Sequence, residues 1–517
     1  MGDLLHNFVP AISTVVYPMN LLIILFGVIV GTAMGVLPGF GAAQALALMF
    51  PFTYGMDVAT ATLFMIAIYA SAEYGGSIPA ILIRTPGTAS SAMTVLEGYP
   101  MAKKGLAARA LRLSLYSGVI GGFASSMIFI FSATSLAWIG LRFGPGEMFA
   151  VGVFGLSIVG SFFGGSPTKG FLSAGLGLLL STIGSSGFSG LRFTFNQSYL
   201  LDGLPLVIVV VAFFAMPEAL RLLIECRHEI TAPEIVVARG DKRQKVSLRD
   251  LWHLAPSILR GCLVGTGNGS LPGHGATIGS VLAYNFEKSS SKHPELFGTG
   301  VEEGLVAVEA SNNATVAGAL IPSLALGIPG SGAIAILLGL LVSKGVVPGP
   351  LLFADNPAYI MIVFTGLITC NLVLLAVGTL GVRVFAPIAV IPPAILGPFV
   401  LLIIMVGAFS YQSDIADLLV VLVLGTIAYF LEKLKFPMVP IVLAFVTGPI
   451  IERNLARGLA IHNGDVSFMF TQPITLTILA IAVATAVYGF RRASAKDTDA
   501  AHRKAMPRVS WRSRIGF

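Results

Sequence analysis

Two stretches of the sequence place ionisable, hydroxyl and amide residues beside Pro-Gly pairs in otherwise apolar surroundings. The first is ASAEYGGSIPAILIRTPGTASS at 70–91, with Glu73 near its start. The second is EASNNATVAGALIPSLALGIPGSG at 309–332, which begins at Glu309 and carries an Asn-Asn pair. Helix N-termini and hydroxyls suit a carboxylate, whereas helix C-termini, amide carbonyls and a carboxylate side chain suit Na⁺. The two stretches could therefore bind an organic anion together with a driving cation.

Each charged side chain in these stretches also has a structural interpretation. Glu73 and Glu309 could lie at water-exposed helix ends or pair with a basic residue. Arg84 could hold a substrate carboxylate with its guanidinium fork, neutralise Glu73 or Glu97, or extend to the membrane interface. His274 could sense protons or be a hydrogen-bonded structural histidine. The residue types alone leave these alternatives open.

Repeated Pro/Gly motifs would position these side chains. GTAMGVLPGFGA at 31–42 returns with the same spacing as GTGNGSLPGHGA at 265–276. A second pair matches Pro-Gly-Thr at 86–88 with Pro-Gly-Ser at 329–331, each between apolar runs. Proline and glycine interrupt helices, and such interruptions in a membrane occur where the backbone is buried in protein or lines a watery cavity. Matched interruptions in two halves predict one site between internal repeats.

Close helix packing is the alternative interpretation of the glycines in the first motif pair. Gly31 and Gly35 have the small-xxx-small spacing of membrane helix interfaces, and so do Gly265 and Gly269. The recurrence of the whole LPGxGA pattern favours a shared functional role.

Composition indicates the fold class. Only 11% of the 517 residues are charged, 55% are hydrophobic, and the mean hydropathy is +0.86. Soluble domains carry about 25% charged residues. Several charge-free runs exceed the roughly 20 residues that span a bilayer core, and we expect about 10–12 spans. The sequence predicts an all-α polytopic membrane protein with two inverted repeats and Pro/Gly-broken or re-entrant helices.

Basic residues indicate the orientation. The tail 491–517 and the segment 99–112 are rich in Lys and Arg, and the polar stretch 226–250 has more basic than acidic residues. The positive-inside rule places all three in the cytoplasm. Counting spans back from the tail places the loop after Lys344 outside, which makes the two halves inverted. The predicted organisation is a first transmembrane repeat at 1–225, a polar cytoplasmic linker at 226–256, a second repeat at 257–490 and a basic cytoplasmic tail at 491–517.

Several motifs together resemble one known family. They are LPGFG, EYGGSIPAILIRTPGTASSAMTVLEGYPMAKKG, LRFTFNQSYLLDGL, LPGHGATI, KHPELFGTGVEEGLVAVEASNNA, IPSLALGIPGSGAIAILLG and GVVPGPLLF, and they cover roughly residues 20–460. The chain resembles the TctA family, the large membrane subunit of tripartite tricarboxylate transporters. The resemblance implies import of carboxylates such as citrate across a bacterial inner membrane. A periplasmic solute-binding protein and a small membrane subunit would complete the complex.

Site residues follow from the polar stretches and from this resemblance. The predicted substrate-binding residues are Gly75, Gly76, Ser77, Arg84, Thr85, Pro86, Gly87, Thr88, Asn312, Asn313, Pro329, Gly330 and Ser331. The predicted cation-binding residues are Gly39, Gly41, Glu309, Asn313, Gly273 and Gly275. Arg84 and Glu97 depart from the residues expected of the family, a small amide and an aspartate. The added cation could shift the preferred substrate charge or lie outside the pocket.

The predicted function is cation symport by a multi-pass protein with a cytoplasmic C-terminus. We expect Na⁺ or H⁺ as the coupling ion, no other cofactor, no structural metal and no nucleic-acid partner. A stand-alone organic-anion symporter that needs no binding protein is the alternative. An enzyme is disfavoured because the sequence has no HExxH motif and no GxSxG nucleophile elbow. A passive channel would also use paired helix interruptions but would not need an ion gradient.

Overall fold

The computed structural model describes residues 8–140, 143–162, 167–185, 190–225, 244–271, 275–349 and 351–505. Within these ranges the chain is almost wholly helical, and one short antiparallel pair joins β1 (Gly184–Ser185) to β2 (Leu191–Arg192). The linker segment 226–243, the predicted cation ligand Gly273 with its neighbour His274, and the tail end 506–517 lie outside the described residues.

The helices of the first half follow in chain order. They are α1 (Phe8–Val16), α2 (Pro18–Val36), α3 (Ala42–Met49), α4 (Val58–Gly75), α5 (Ser77–Ile83), α6 (Thr94–Met101), α7 (Ala107–Gly140), α8 (Pro145–Phe162), α9 (Pro167–Ser181), α10 (Leu206–Val210) and α11 (Met216–Glu225). Short 3₁₀ turns lie at Phe50–Thr53, Ala89–Ala92 and Ser198–Leu200, and π turns lie at Ala102–Leu106 and Val211–Ala215.

The helices of the second half continue the numbering. They are α12 (Leu248–Gly269), α13 (Gly275–Ser290), α14 (Glu302–Leu326), α15 (Gly332–Ser343), α16 (Leu352–Asp355), α17 (Pro357–Phe385), α18 (Pro393–Gln412), α19 (Ile415–Lys433), α20 (Met438–Ile461), α21 (Phe468–Thr471) and α22 (Pro473–Ala505). Short 3₁₀ turns lie at Pro294–Leu296 and Ala386–Val390.

The lengths and composition of the helices confirm an all-α polytopic membrane protein. In the described part of the chain, eight helices are long and apolar enough to cross a bilayer. These candidate spans are Pro18–Val36, Val58–Ile83, Thr94–Ser132, Leu206–Ile224, Pro357–Gly381, Ala394–Gln412, Ile415–Lys433 and Met438–Ile461. Three shorter apolar helices lie at Ala42–Thr53, Gly332–Ser343 and Pro473–Tyr488. The expected number of about 10–12 spans stays a prediction.

The predicted helix interruptions are confirmed. In the first half, α2 ends at Val36 before LPGFG, and α5 ends at Ile83 before Pro-Gly-Thr. In the second half, α12 ends at Gly269 before SLPGHG, and α14 ends at Leu326 before Pro-Gly-Ser. The chain resumes as a helix after each interruption.

Two broken helical units are central to the site. We call residues 58–101 the first unit and residues 302–343 the second unit. The Lys344 ammonium, just after the second unit, donates to the carbonyl oxygens of Tyr54 and Met56, just before the first. The Glu97 carboxylate, near the end of the first unit, accepts from the Val301 amide, just before the second. Each unit therefore starts beside the end of the other, so the two run antiparallel.

Both halves use the same close contact between a motif helix and its broken unit. A Cβ on Gly35 of α2 would lie 2.2 Å from the Ala72 carbonyl oxygen of α4. A Cβ on Gly269 of α12 would lie 2.8 Å from the Thr315 carbonyl oxygen of α14. The helical glycines therefore serve close packing, as the small-xxx-small interpretation expects. These contacts match between the halves; the inversion of the repeats and the domain boundaries stay predictions.

Candidate functional site

One face of α4 contacts the second Pro-Gly loop and the turn after the first. Tyr69 and Glu73 lie one helical turn apart on this face. The Tyr69 hydroxyl lies 3.4 Å from the Ser331 hydroxyl in the second unit, and either oxygen can donate. The Ser90 hydroxyl donates to a Glu73 carboxylate oxygen at 2.5 Å. The structure thus brings the second loop, 329–331, and the turn that directly follows the first loop, 86–88, to the same helix face.

Tight backbone contacts hold the first loop. The Gly87 amide donates to the Gly76 carbonyl oxygen at 3.0 Å, which ties the loop to the junction of α4 and α5. A Cβ on Gly87 would lie 2.0 Å from the Gly35 carbonyl oxygen, so no larger residue fits without moving the backbone. Thr88 and Ser91 form a reciprocal capping box that fixes the next turn. The first loop is therefore closely packed on several sides.

The second loop is less constrained. Gly327 ends α14 with φ of 72°, a left-handed conformation that favours glycine. A Cβ on Gly330 would lie 3.4 Å from the nearest atom, the Gly269 carbonyl oxygen, which is ordinary contact. The Ser331 hydroxyl accepts from the Ile334 amide and so caps the start of α15. The positive end of α15 lies at this loop, where an anion would be favoured.

Glu309 of α14 lies between two helix starts of the first unit. The Ser77 hydroxyl at the start of α5 donates to one carboxylate oxygen at 2.8 Å, and the Thr94 hydroxyl at the start of α6 donates to the other at 2.5 Å. Glu309 is 1% exposed and Glu73 is 7% exposed. In the described part of the chain, neither forms an ion pair. An ionised carboxylate without a basic partner is costly in such surroundings, so a bound cation or proton would stabilise both acids.

The asparagine pair on α14 has unused hydrogen-bonding groups. The Asn312 amide nitrogen donates to the Glu73 main-chain carbonyl oxygen at 3.2 Å. The Asn312 side-chain oxygen and the Asn313 side-chain nitrogen are buried, and neither has a partner among the described residues. Leaving buried polar groups unpaired costs about 1–3 kcal/mol each. Such groups beside two buried acids are typical of a site that a ligand completes.

Comparison with known proteins identifies the family. The model of the family described as tripartite tricarboxylate transporter TctA matches residues 21–443. The chain belongs to this family. Among its relatives is a protein of Agrobacterium vitis described as "Uncharacterized 52.8 kDa protein in TAR-I ttuC' 3'region". That protein is 33% identical over 489 residues, which cover 94% of this chain and 96% of the relative.

A second Agrobacterium vitis relative matches a shorter stretch. It is described as "Uncharacterized protein in TAR-II ttuC' 3'region" and is 31% identical over 215 residues, which cover 42% of this chain and 89% of the relative. No solved structure matches this chain. Membership of the TctA family confirms the resemblance inferred from the motifs and makes the chain a membrane protein of a transporter family.

Two of the predicted TctA substrate residues, Arg84 and Thr85, are exposed. Arg84 ends α5 in a left-handed conformation, and its guanidinium lies 6.0 Å from the ring centroid of Tyr99, within cation–π range. In the described part of the chain it pairs with neither Glu73 nor Glu97. The neutralising role considered for Arg84 is therefore absent, and its contact with substrate stays a prediction.

The predicted cation ligands do not all lie together. A Cβ on Gly39 would lie 2.7 Å from an Arg221 nitrogen, so this glycine neighbours a positive charge. Gly41 caps α3 and lies against the Gln44 side chain. Gly275 starts α13, and its main-chain carbonyl oxygen accepts a hydrogen bond from the side-chain amide nitrogen of Asn268 at 2.8 Å. Among the described residues, no hydrogen bond joins these glycines to Glu309. The cation assignment stays a prediction.

Four polar residues outside the predicted lists of binding residues contact the site, and one of them, Glu73, is a candidate whose role the sequence left open. Tyr69, Glu73, Ser90 and Thr94 bridge the loops and the buried acids. Tyr69 and Glu73 had a detectable signal, since polar residues one turn apart in an apolar helix define one face. Ser90 and Thr94 had none, because small hydroxyls are common at helix starts.

Proposed function

We propose that this chain is the large transmembrane subunit of a tripartite secondary transporter that imports carboxylates by cation symport. A periplasmic solute-binding protein would deliver the anion, and a small membrane subunit would complete the complex in the bacterial inner membrane. One observation carries the proposal. The second Pro-Gly loop and the turn after the first contact one face of α4, beside two buried carboxylates and unpaired amide groups.

The anion would bind at the two loops. Thr88 and Ser90 supply hydroxyls from the first loop, and Ser331 supplies one at the N-terminus of α15. Hydroxyls and helix N-termini favour a carboxylate without a full positive charge inside the membrane. The unpaired Asn313 nitrogen adds a donor from α14.

The coupling cation, Na⁺ or H⁺, would bind at Glu309 and Glu73. Both acids are buried and lack a basic partner in the described part of the chain, so a cation would neutralise them. The Ser90 hydroxyl links Glu73 to the first loop, so the cation and the anion would stabilise each other's sites. Thermodynamic coupling of this kind is reciprocal and makes the two ligands bind together. The anion and the cation would be transported together if the protein switches between outward-facing and inward-facing states only when it is empty or has both ligands bound.

Uptake into proteoliposomes tests this proposal. The chain is reconstituted with a candidate small subunit, and labelled di- and tricarboxylates, including citrate and succinate, are presented with and without a candidate periplasmic solute-binding protein from the same organism. We expect uptake that needs both the binding protein and an inward Na⁺ or H⁺ gradient. Equal uptake without the binding protein would identify the stand-alone symporter, and equilibration without any gradient would identify a channel.

A pair of serine variants tests the site. Ser77→Ala removes a donor to Glu309, and we expect initial uptake to fall about tenfold or more, since an unpaired buried acceptor costs about 1–3 kcal/mol. Ser117→Ala is the matched control, because the buried Ser117 hydroxyl donates only to carbonyl oxygens of its own helix. Equal uptake by Ser77→Ala and wild type, at equal amounts of inserted protein, would remove Glu309 from the transport site.

A further inference from the structure

A cavity with several charged and amide side chains in its lining opens beside the end of the second unit. It has a volume of about 340 Å³ and lies between the segments 345–349 and 351–356 on one side and the last turns of α20 on the other. Its polar lining comes from Arg453, Asn454 and Arg457 on α20, together with Asp355 and Asn356. We call this cavity the vestibule.

The charge of the vestibule favours an anion. Arg453 and Arg457 are exposed and lie one turn apart on α20. Like charges at this spacing repel each other. Within the described residues neither arginine forms an ion pair, whereas the adjacent Glu452 pairs with Arg192 at 2.8 Å. Two free guanidinium groups against one aspartate leave a net positive lining, which a carboxylate would neutralise with forked hydrogen bonds.

A small void lies between the vestibule and the second Pro-Gly loop, and we call it the passage. Met148, Pro348 and Ile450 line both the vestibule and this void, whose other walls include Gly327 and Pro329. The void holds only about 20 Å³, which is room for roughly one water molecule. The passage is therefore closed to a carboxylate in this conformation.

The loop that lines the vestibule is joined directly to the second unit. The Gly349 amide donates to the Leu324 carbonyl oxygen at 3.0 Å, one turn before the Pro-Gly loop. A Cβ on Gly349 would lie 3.1 Å from the Met148 side chain in the passage. A shift of the second unit would therefore move the walls of the passage.

Contacts between loops agree with an outward-facing vestibule. Counting spans forward from the basic segment 99–112 places the segment around 192 outside, and counting back from the basic tail places those around 344 and 452 outside. The structure joins Arg192 to Glu452. The same counting places Lys169 and Leu434 inside, and the Lys169 ammonium donates to the Leu434 carbonyl oxygen at 2.5 Å. Each contact therefore joins two segments that the charge pattern places on the same side of the membrane.

We propose that the vestibule is a second binding site for the transported carboxylate, occupied from the outside before the passage opens to the Pro-Gly loops. This inference rests on the proposed transport function and adds a site to it. Clefts lined by one sign of charge raise the local concentration of an oppositely charged ligand by about 10–10³-fold. The arginines would thus capture the anion, and the buried loops would bind it for transport.

Cysteine protection tests occupancy of the vestibule without relying on transport. Val347 lines it and is 56% exposed, whereas Phe470 is 65% exposed and does not line it. Val347→Cys and Phe470→Cys are made in a Cys226→Ser chain, since Cys262 and Cys370 are buried. Right-side-out vesicles are treated with a membrane-impermeant maleimide, with citrate or succinate as the probe. We expect the maleimide to label both cysteines. Carboxylate should slow the labelling of Val347→Cys but not of Phe470→Cys, and Arg453→Gln/Arg457→Gln should abolish this protection.

Transport kinetics give an independent readout. In Arg453→Gln/Arg457→Gln we expect the half-saturating carboxylate concentration to rise about tenfold or more, with an unchanged maximal rate. Arg453→Lys/Arg457→Lys should recover part of the loss. Arg249→Gln, an exposed arginine on the predicted cytoplasmic side, is the charge control.

Three outcomes would overturn the vestibule as a carboxylate site. One is a labelling rate of Val347→Cys that neither citrate nor succinate changes. Another is a half-saturating carboxylate concentration that stays unchanged in Arg453→Gln/Arg457→Gln. Protection by the purified binding protein but not by carboxylate alone would assign the arginines to partner docking instead. If the wild type imports no carboxylate, the transport function fails, whereas normal import with either negative result removes only the vestibule.

Discussion

The two broken units face each other across the site, but they are fixed in different ways. The first unit is capped at its start by its own Asp57, and its Pro-Gly loop lies hard against the backbone of α2 at Gly35. The second unit has no side-chain cap at its start; instead, the amides of Gly300 and Val301, which immediately precede it, donate to Glu97 of the first unit. Its Pro-Gly loop has ordinary clearance at Gly330.

This difference assigns the units different mechanical roles. Interfaces at close contact move as rigid bodies, because small displacements there produce overlap. The first loop can therefore serve as the fixed wall of the site. The second loop lies beside the closed passage and has room to shift. For the proposed transport function we therefore expect the second unit to move against the first.

The largest expected contrast is between alanine substitutions at the two loop glycines. Gly87→Ala would place a Cβ 2.0 Å from the Gly35 carbonyl oxygen, whereas Gly330→Ala would place one at 3.4 Å from the Gly269 carbonyl oxygen. Overpacking costs about 1–3 kcal/mol and occasionally more. A contact this short with backbone lies at the upper end of that range, so we expect Gly87→Ala to lose insertion or uptake. Gly330→Ala should insert normally. The amount of folded protein in the membrane and the initial uptake rate, measured for each variant, check both predictions.

Equal behaviour of the two alanine variants would remove the distinction between a fixed and a movable loop. Normal insertion with reduced uptake in Gly330→Ala would sharpen it, because the lost clearance would then limit movement and not folding.

The next contrast concerns the two caps. Glu97 is fully buried and accepts from the amides of Gly298, Gly300 and Val301 and from the Tyr284 hydroxyl. Glu97→Ala would leave these donors unpaired, at about 3 kcal/mol or more in total. Asp57→Ala removes an exposed N-cap worth about 1 kcal/mol. We therefore expect a clearly lower thermal midpoint in detergent for Glu97→Ala than for Asp57→Ala.

The conservative variant Glu97→Gln separates charge from hydrogen bonding. It keeps one acceptor oxygen and should lie between Glu97→Ala and wild type. A Glu97→Ala protein as stable as Asp57→Ala would show that water replaces the carboxylate, and the cross-unit cap would then contribute nothing.

The sequence predicted where the helices break but not how the units hold each other. Proline and glycine act locally, so the interruptions after Val36, Ile83 and Leu326 could be inferred from residue types alone. The match between 86–88 and 329–331 also pointed to loops that meet. The Glu97 cap combines donors from distant segments and has no local signature.

Side-chain direction was the main unknown within the site. The position of Arg84 two residues before a Pro-Gly pair predicts contact with an anion, yet the left-handed end of α5 directs its side chain over Tyr99. Glu73 could be recognised as costly in a membrane, but its bond to Ser90 depends on how the first loop folds back. Tertiary packing determines the direction in which a polar side chain points, and this direction cannot be inferred from a single sequence.

The smallest expected effect is a pH dependence at the start of the first unit. Partial burial alone would raise the pKa of the Asp57 carboxyl, but hydrogen bonds from the Thr60 hydroxyl and from the Thr60 and Ala59 amides together lower it below its usual value of 3.8. A lowered folded-state pKa contributes stability above the unfolded value and loses it as the pH falls through the folded value. Wild type should therefore be more stable than Asp57→Ala near neutral pH, by about 1 kcal/mol or less because the cap is exposed. This advantage should shrink below about pH 4. Thermal midpoints of both proteins in detergent between neutral and acid pH check the sign, and a difference that grows on acidification would show that the Asp57 charge destabilises the first unit.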